Sequence, residues 1–500
     1  MVTATIINVA VPDIMGAFGV GQDQAQWLST AYLASMTSSM LLVDWAVRRI
    51  GARATFVIAM SCFIIGSLTG SLATEFDVVV VGRIMQGAAA GVTQPLAMMT
   101  MFQIFPPDRR GRAMGLFGLV IIFAPAIGPW LGGVAIDTFD WRYAFYLPLP
   151  LCVTSAILAG MFLQPRDDSL ARPPFDWLGF ALLLVFVTTL LVGLTNGVKD
   201  GWGSDEIMGL LITAAFSFVG FITWQVFAPH ALLNMTLFVN PRFAAAAVVS
   251  FIFGAAIFGS LYLVPVFVQL VQGYSPTQSG IMQFPGGVAM AIVFPIVGRL
   301  TDFGRENWMT VFGLAVVAYS LFLMVGAHTD TPYWTFVSWL VLSRVGLAFI
   351  FPSLSAGSLR ALPSQLVGQG SGTMNFVRSL GGAFGVNLAS IIVEQSTAEY
   401  RSVMINSQTL ANPQTAEWLD KAREILGHAG LPDALQELAA RFFLGQTVTS
   451  EALMLAFRDG FLFLGLVTLI ALVPGWFISP GRVTAPAPKD EPEAALSPAE

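Results

Sequence analysis

Long apolar runs separated by short polar loops occupy almost the whole chain. A bilayer core about 30 Å thick needs about 20 residues of α-helix, and each run is near that length or longer. The apolar runs lie at about 2–18, 26–47, 54–73, 77–101, 111–136, 143–163, 177–196, 206–227, 243–271, 278–300, 308–327, 333–356, 370–394 and 455–478. The pattern therefore predicts an all-α polytopic membrane protein with about fourteen transmembrane helices.

The first apolar run is the shortest. As a helix, residues 2–18 span only about 25 Å, less than the thickness of the bilayer core. Either the chain starts inside the membrane or its natural start lies upstream of Met1. The run lacks the basic flank that a signal sequence needs, so we expect no cleavable signal peptide.

The composition agrees with a membrane protein. Of the 500 residues, 55% are hydrophobic and only 11% are charged, whereas soluble domains carry about 25% charged residues. The mean hydropathy is +0.73, which is too high for a soluble core of this size. The net charge is −6 and no basic stripe is present, so we expect no nucleic acid partner.

The chain shows none of the residue patterns of an enzyme or a metal site. His230, His328 and His428 lie in loops without HExxH spacing, and no GxxxxGK[ST] phosphate loop occurs. Cys62 and Cys152 lie in separate apolar runs, which argues against a disulfide framework and a thiol-metal site. We therefore expect no enzyme activity, no cofactor, no metal and no direct use of ATP.

The arginines are concentrated in alternate loops. The short loops on the opposite side hold only Arg142 and Lys199. The arginine-rich loops carry Arg48, Arg49, Arg53, Arg109, Arg110, Arg112, Arg166, Arg172, Arg242, Arg299, Arg305 and Arg360. By the positive-inside rule, we expect this side and both termini to be cytoplasmic.

A charged, proline-rich loop at 164–175 divides the chain. We expect an N-terminal six-helix bundle at 1–163 and a linker with two extra helices at 164–241. A C-terminal six-helix bundle at 242–479 follows. The tail at 480–500 is rich in proline and charge, which predicts a disordered cytoplasmic segment.

The C-terminal bundle contains a long loop at about 395–450, which this topology places on the extracytoplasmic side. Its helical patterning predicts two short helices that start at Pro413 and Pro432. The loop is either a solvated cap or a docking surface for an extracytoplasmic partner.

The two six-helix blocks resemble each other weakly. Residues 44–51 after the second helix match residues 298–305 after the tenth, and Arg83 matches Arg344 in the corresponding helix. Paired halves of this kind are typical of secondary transporters, in which the substrate site lies between the halves near the membrane midplane.

One stripe of small residues stands out within the fifth apolar run. Ala124, Gly128 and Gly132 recur every four residues and so lie on one face of a helix. Pro125 and Pro129 remove backbone donors and bend that helix. A smooth stripe allows a neighbouring backbone to come close. The bent helix serves either for packing alone or also for a rocking motion. A second stripe in the thirteenth run is formed by Gly381, Gly385 and Ala389.

Five segments, in this order and spacing, carry a resemblance to a known family. They are Thr5–Pro12, Arg83–Gly87, Ala124–Pro125 with Gly128–Gly133, Trp141–Phe145 and Phe175–Gly179. Together they resemble the major facilitator superfamily, and within it the fourteen-helix EmrB/QacA-type drug:proton antiporters. The resemblance covers nearly the whole chain and implies the major facilitator fold: two six-helix bundles plus two extra helices.

The sequence departs from the family pattern at three places. Thr3 stands where the family has an Asp in the first helix. In the loop after the second helix, Asp44 and Arg48 stand where the family has Gly and often Asp. The second copy of that loop keeps Asp302 but is one residue short before Gly304.

The resemblance implies a role in proton coupling for Arg83, although a structural ion pair would also explain a charge within a span. Because Thr3 cannot titrate, we expect a different carboxylate to act with it. Asp13 is the first choice because it lies near the outer end of the first helix, followed by Asp302 and Asp44. For Arg344 and Arg378, which also lie in or near spans, we expect structural pairing.

Three further groups of candidate residues are a gating group, the antiporter motif and the lining of the substrate cavity. A gating role is implied for Asp44, Arg48, Arg49, Gly51, Gly298, Asp302 and Arg305, although positive-inside anchoring also explains the arginines. The antiporter motif is assigned to Ala124, Pro125, Gly128, Pro129, Gly132 and Gly133. Candidate residues of the substrate cavity are Met36, Gln86, Gln94, Phe123, Tyr262 and Gln269, since Met and aromatic side chains adapt to varied apolar ligands. For any one of these, packing in the core or against lipid is the alternative.

The sequence therefore predicts a proton-coupled exporter of drug-like or amphiphilic compounds in the inner membrane of a bacterium. Its partners are the lipid bilayer, a small-molecule substrate and protons, and the resemblance adds a periplasmic membrane-fusion adaptor as a candidate. Two alternatives remain open: an exporter or facilitator of one specific metabolite, and a membrane sensor or partner-binding protein that does not transport.

The predicted orientation can be tested with reporter fusions. A reporter fused at Glu500 should be active only in the cytoplasm, and one inserted between residues 395 and 450 only outside the cell, because the arginine-rich loops stay inside. A cytoplasmic signal from the inserted reporter would rule out the fourteen-helix topology.

Overall fold

The computed structural model of the protein describes residues 2–25, 27–166, 172–408 and 412–478. Within its helices a few side chains, among them those of residues 122–127, 129, 130 and 133, lie outside that description. The described part contains helices and no strands. The main helices are α1 Val2–Phe18, α2 Trp27–Ser39, α3 Val43–Ile50, α4 Ala52–Ser71, α5 Phe76–Ile104, α6 Arg110–Thr138, α7 Leu149–Phe162, α8 Trp177–Asp200, α9 Asp205–Phe227, α10 Pro241–Leu270, α11 Pro276–Thr301, α12 Glu306–Val325, α13 Tyr333–Arg360, α14 Val367–Ser407, α15 Pro413–His428 and α16 Asp433–Ile470.

The helix count agrees with the sequence prediction. In the described part, 11 helices are long and apolar enough to cross a membrane. The other three segments of the predicted fourteen are α1, the bent pair α2 and α3, which a 3-10 turn at Met40–Leu42 joins, and α6. The prediction of an all-α polytopic membrane protein is confirmed.

The N-terminal half (α1–α7) and the C-terminal half (α10–α14 with α16) repeat one packing contact. A methyl group added at Gly132 of α6 would lie 2.9 Å from Ile6 Cγ2 of α1. In the other half, a methyl group at Gly381 of α14 would collide with the carbonyl oxygen of Phe251 on α10. In each half the fifth helix therefore packs closely on the first through the predicted small-residue stripe.

Contacts between the halves are concentrated at one end of the molecule, here called the arginine-rich end because Arg48, Arg112 and Arg360 lie there. A methyl group at Gly111 of α6 would lie 2.5 Å from the Gly298 carbonyl oxygen of α11. In the described part, every hydrogen bond and ion pair that joins the halves lies in the arginine-rich half of the molecule. The transporter-like bundle is therefore closed at this end.

The two extra helices, α8 and α9, form a hairpin that covers the seam between the halves. Leu183 and Val187 belong to one apolar cluster with Met36 of α2 and Phe376 of α14. The hairpin thus contacts both halves from the side rather than extending either bundle.

Asp176 fixes the start of this hairpin. Its carboxylate accepts hydrogen bonds from the Gly179 backbone N–H at 2.8 Å, from Trp224 Nε1 at 2.7 Å and from Gln225 Nε2 at 2.8 Å. One side chain therefore caps α8 and ties it to the end of α9. This explains why a polar residue stands directly before an apolar run of this length.

The predicted long loop at 395–450 is largely continuous helix. α14 runs to Ser407 and α16 already begins at Asp433, so both project beyond the membrane, and only α15 is a separate short helix. Pro413 starts α15 as predicted, but Pro432 precedes a long helix of 38 residues rather than a short one. The predicted tail at 480–500 lies outside the described residues.

The small-residue stripe generates a test. Gly132→Leu should reduce transport about tenfold while leaving membrane insertion intact, because overpacking a tight contact costs about 1–3 kcal/mol. Gly209→Leu is the matched control, since a side chain added at Gly209 meets nothing within 4 Å. Radiotracer uptake into vesicles with equal protein content provides the measurement. Equal uptake by both variants would show that the α1–α6 contact does not matter for transport.

Candidate functional site

The closed end is built around Asp302, which ends α11. Its Oδ1 accepts a hydrogen bond from the Gly111 backbone N–H of α6 at 2.6 Å. Arg112 Nε lies 3.5 Å from Oδ2, and Arg360 Nη2 lies 3.6 Å from Oδ1. One carboxylate of the C-terminal half therefore holds the start of α6 in the N-terminal half.

The Asp302 carboxyl group is nearly enclosed at this position. Burial raises its pKa above the usual value, while the hydrogen bonds from the Gly111 and Arg112 backbones and the charges of Arg360 and Arg112 act in the opposite direction. These partners offset the free-energy cost of burying the ionised Asp302 carboxylate. Their removal would leave a buried charge uncompensated.

Arg360 at the end of α13 links the same loops. Its guanidinium donates to the Thr301 carbonyl oxygen at 3.2 Å and to the Pro107 carbonyl oxygen at 3.3 Å, and it forms an ion pair with buried Glu306. The sequence predicts a gating role for Arg305. Arg305 is exposed and forms no ion pair in the described part of the chain, and the pairing with Asp302 is made by Arg360.

The second contact of the closed end involves the predicted residues Asp44 and Arg48. Arg48 Nε lies 2.9 Å from the Asp44 carboxylate, and Arg48 Nη2 donates to the Gln365 carbonyl oxygen at 2.9 Å. A methyl group at Gly368 of α14 would lie 2.5 Å from Asp44 Oδ1. The pair thus bridges α3 to the start of α14.

The other predicted gating residues lie beside this pair. Gly51 ends α3 with a φ of 87°, which a residue with a side chain rarely adopts. Arg49 is exposed and donates to the Arg172 carbonyl oxygen of the interdomain linker at 3.4 Å. Gly298 makes the close backbone contact with Gly111 described above.

Four phenylalanines lie immediately inside the closed end. The Phe351 ring of α13 lies 6.1 Å from Phe117 of α6, 6.2 Å from Phe253 of α10 and 6.2 Å from Phe294 of α11. Because Phe117 belongs to the opposite half, this aromatic cluster seals the interface between the halves. We call these four residues the phenylalanine floor.

A polar network crosses between the halves beside the phenylalanine floor. Gln94 Nε2 of α5 donates to Asn375 Oδ1 of α14 at 3.1 Å, and Arg378 donates to the same oxygen. Asn375 Nδ2 lies 3.2 Å from Met98 Sδ. Gln94, one of the predicted cavity residues, is therefore placed directly at the interface between the halves.

Arg83 is completely buried within the N-terminal half. Its Nε donates to the Leu28 carbonyl oxygen at 2.9 Å, its Nη1 donates to Gln86 Oε1 at 2.9 Å, and its guanidinium lies 4.1 Å from the centre of the Tyr32 ring. Nη2 has no hydrogen-bond partner in the described part of the chain. A buried charge with one free donor is a candidate site for proton chemistry.

The structure does not bring Asp13 to Arg83. Arg83 Nη1 lies 3.5 Å from the carbonyl oxygen of Thr3, so the start of α1 is level with the guanidinium. Asp13 lies ten residues further on, about 15 Å along the helix axis, and it is exposed. The position at which the family carries an Asp therefore faces Arg83, but here it is a threonine.

The remaining predicted cavity residues are mostly engaged in packing. Gln86 is buried and donates to Ser67 Oγ at 2.7 Å inside the N-terminal half. Met36 packs in the cluster beneath the extra helices. The Tyr262 hydroxyl lies 3.2 Å from Ser390 Oγ, and Gln269 is half-buried. Outside the described side chains lie those of Phe123, Ala124, Pro125, Pro129 and Gly133.

Comparison with known proteins agrees with this architecture. Residues 1–386 match the Major Facilitator Superfamily. The chain belongs to this superfamily. The uncharacterized MFS-type transporter YhcA of Bacillus subtilis is 30% identical over 409 residues, which cover 82% of this chain and 77% of YhcA. The multidrug export protein EmrB of Haemophilus influenzae is 25% identical over 482 residues, which cover 95% of this chain and 92% of EmrB.

A solved structure confirms the fold. The proton:xylose symporter XylE bound to 6-bromo-6-deoxy-D-glucose aligns with a TM-score of 0.59 at 14% identity, covering 94% of this chain and 91% of XylE. The protein itself, as a member of the superfamily, is a multi-pass membrane transporter and not an enzyme. It lies in a lipid bilayer and acts on small-molecule substrates. The assignment to the EmrB/QacA-type group is confirmed by relatives that include drug exporters.

The closed end generates a test at Asp302. Asp302→Asn keeps an acceptor for the Gly111 N–H but removes the charge that faces Arg112 and Arg360. Hydrogen bonds to charged groups contribute about 1.5–3 kcal/mol, so amide exchange at the start of α6 should become about tenfold faster. Hydrogen–deuterium exchange of the full chain in lipid nanodiscs measures this.

Asp108→Asn is the control, because Asp108 is exposed and pairs only with Arg109 at 3.6 Å. An exchange rate in Asp302→Asn equal to that of Asp108→Asn would show that the Asp302 charge does not hold the closed end together.

Proposed function

We propose that this superfamily member exports drug-like or amphiphilic compounds from the cell in exchange for protons. The closed arginine-rich end is the observation that carries the proposal. The contact between Gly111 and Gly298, the Asp302 cluster and the phenylalanine floor block one side, while the halves share no described hydrogen bond near the other. This is one of the two states that alternating access requires.

The direction of transport depends on the orientation of the chain. With the arginine-rich end in the cytoplasm, as the positive-inside rule favours, the closed side faces the cytoplasm and the open side faces outward. Both termini would then be cytoplasmic and the membrane would be the bacterial inner membrane. The projecting ends of α14 and α16 with α15 would lie in the periplasm, within reach of a membrane-fusion adaptor.

We assign Arg83 to the proton step as a fixed buried positive charge that responds to a neighbouring proton, because a guanidinium keeps its own proton. Its buried guanidinium binds carbonyl oxygens and a glutamine rather than a carboxylate. A change of charge on a nearby group therefore changes the electrostatic energy of this buried cation strongly. Asp13 is less suited to this step because of its distance. Asp44 and Asp302 lie at the closed end and suit gating.

A second candidate function is facilitated diffusion or export of one specific metabolite without protons. Thr3 favours it, because the residue level with Arg83 cannot carry a proton at neutral pH. A protein that only senses or binds a partner is disfavoured, since it has no need of a sealed interface between two mobile halves.

Transport by the purified full chain in liposomes separates these functions. Tritiated naphthalene-2-sulfonate and 2-naphthyltrimethylammonium are suitable probes, because both stay charged at every relevant pH and are not trapped passively. We expect at least one probe to accumulate in liposomes with an acid lumen, and nigericin, which collapses the pH gradient, to abolish the accumulation. Uptake that only equilibrates, with or without the gradient, would establish the facilitator instead.

Variants at Arg83 and Thr3 sharpen this result. Arg83→Ala should lower gradient-driven uptake at least tenfold, a rough figure for the loss of a buried charged group. Lys421→Ala, on the exposed face of α15, should leave it unchanged. If the wild type ignores the gradient and Thr3→Asp responds to it, the proton step is missing from this chain.

A further inference from the structure

Two buried arginines in the C-terminal half lack the structural pairing that the sequence suggested. Arg344 of α13 is 6% exposed and Arg378 of α14 is 7% exposed. Neither forms an ion pair with a carboxylate in the described part of the chain. A buried cation without a counter-charge is costly, and in membrane proteins such a group usually faces a binding site or a pathway.

Arg378 lies at the phenylalanine floor. Its guanidinium is 5.0 Å from the centre of the Phe351 ring, and one of its nitrogens donates to Asn375 Oδ1. Asn375 in turn is bound by Gln94 of the opposite half. The arginine is therefore held at the interface between the halves, and its only described hydrogen-bond partner is a neutral amide.

Arg344 lies on the same face of α13 as Phe351, two helical turns and about 10 Å further from the closed end. Its side-chain stem packs on α11, where a methyl group at Gly286 would lie 2.8 Å from Arg344 Cγ. No hydrogen bond of its guanidinium occurs among the described residues. The glycine thus makes room for the stem, and the charged end has no partner among the described side chains.

Two neighbouring helices carry carboxylates that are already paired: Glu306 at the start of α12 pairs with Arg360, and Asp44 of α3 pairs with Arg48. The sequences of α10, α11 and α13 contain neither Asp nor Glu. The acidic residues of α14 are Glu394 and Glu399, which lie about 24 Å and 32 Å beyond Arg378 along the helix. Asp137, the only acidic residue of α6, stands one residue before the end of that helix.

We propose that Arg344 and Arg378 form a binding site for the anionic group of the transported compound, which makes the substrate an amphiphilic organic anion such as an aromatic carboxylate or sulfonate. The planar guanidinium suits the bidentate binding of such groups. The phenylalanine floor receives the aromatic body. This inference deepens the proposed export function and rests on it for the statement that the bound anion is cargo.

The opposite charge is disfavoured at the same place. A lipophilic cation would add a third positive charge to a region whose neighbouring carboxylates are already paired, and like charges in a low-dielectric site repel strongly. The anion could come from a soluble compound or from a lipid headgroup that enters beside the extra helices. Both sources share the same chemistry, and the choice of lipid in the test separates them.

Equilibrium binding to the purified full chain in phosphatidylcholine nanodiscs tests the site without any proton gradient. Naphthalene-2-sulfonate and naphthalene-2-sulfonamide form a matched pair, since they differ essentially in charge, and 2-naphthyltrimethylammonium supplies the opposite sign. We expect the wild type to bind the sulfonate at least tenfold more tightly than the other two, a rough figure for one charged hydrogen bond. Arg344→Gln and Arg378→Gln should each remove about tenfold of the sulfonate affinity and leave the sulfonamide unchanged.

Arg401→Gln is the control, because Arg401 is exposed on the projecting part of α14. If a glutamine variant fails to fold, as judged by size-exclusion chromatography, Arg344→Lys and Arg378→Lys carry the test. These variants keep the charge but lose the planar fork, so the sulfonate affinity should fall by a smaller factor. Unchanged sulfonate affinity in the folded variants, or preferred binding of the cation by the wild type, would overturn the proposal.

The lipid arm and the transport arm give separate answers. Phosphatidylglycerol added to the nanodiscs should not compete with the sulfonate, whereas strong competition would identify a lipid headgroup as the natural anion and overturn the assignment to cargo. Arginine-dependent sulfonate binding without gradient-driven uptake would refute proton-coupled export while leaving the site intact. Gradient-driven uptake of the cation, unaffected by either arginine, would do the reverse.

Discussion

The backbones of α6 and α11 touch at Gly111 and Gly298, and the closed arginine-rich end depends on this contact. In lipid no hydrophobic force pulls helices together, so close backbone packing and hydrogen bonds must hold them. Because neither position has a side chain, the Asp302 carboxylate reaches the Gly111 N–H at 2.6 Å. The small size of the two glycines therefore allows the helices to approach, and the carboxylate at the end of α11 holds them together through a hydrogen bond.

Charge is distributed unequally between the two halves. In the N-terminal half, Arg83 donates to carbonyl oxygens and a glutamine and lies against the Tyr32 ring, while its Nη2 has no described hydrogen-bond partner. In the C-terminal half, Arg378 donates to a neutral amide and lies against an aromatic ring. The Arg344 guanidinium has no hydrogen bond among the described residues. Each half thus repeats the helices of the other without repeating its electrostatics. Such asymmetry allows one half to serve mainly the coupling step and the other mainly the ligand, although both come from the same packing plan.

The sequence predicted best what local periodicity determines. Apolar runs marked the spans, and stripes such as that of Gly132 marked close packing, because helix geometry alone sets both. Partners distant along the chain were not predictable: Asp302 pairs with Arg360, 58 positions away, rather than with nearby Arg305. Asp13 does not reach Arg83, because the start of α1 at Thr3 is level with the guanidinium and ten residues of helix separate the two positions. The projecting parts of α14 and α16 carry many polar residues, so apolar runs do not mark them as helix.

The length of α14 has a mechanical consequence. This helix is continuous over 41 residues, or about 60 Å, from the contact beside Asp44 to the projecting end that leads to α15. A stiff rod of that length turns a tilt of about 10° at the membrane into a sweep of about 10 Å at its tip. Opening of the arginine-rich end, which the rod helps to close, would therefore appear on the far surface as a displacement of α15, so that this surface reports the state of the opposite end.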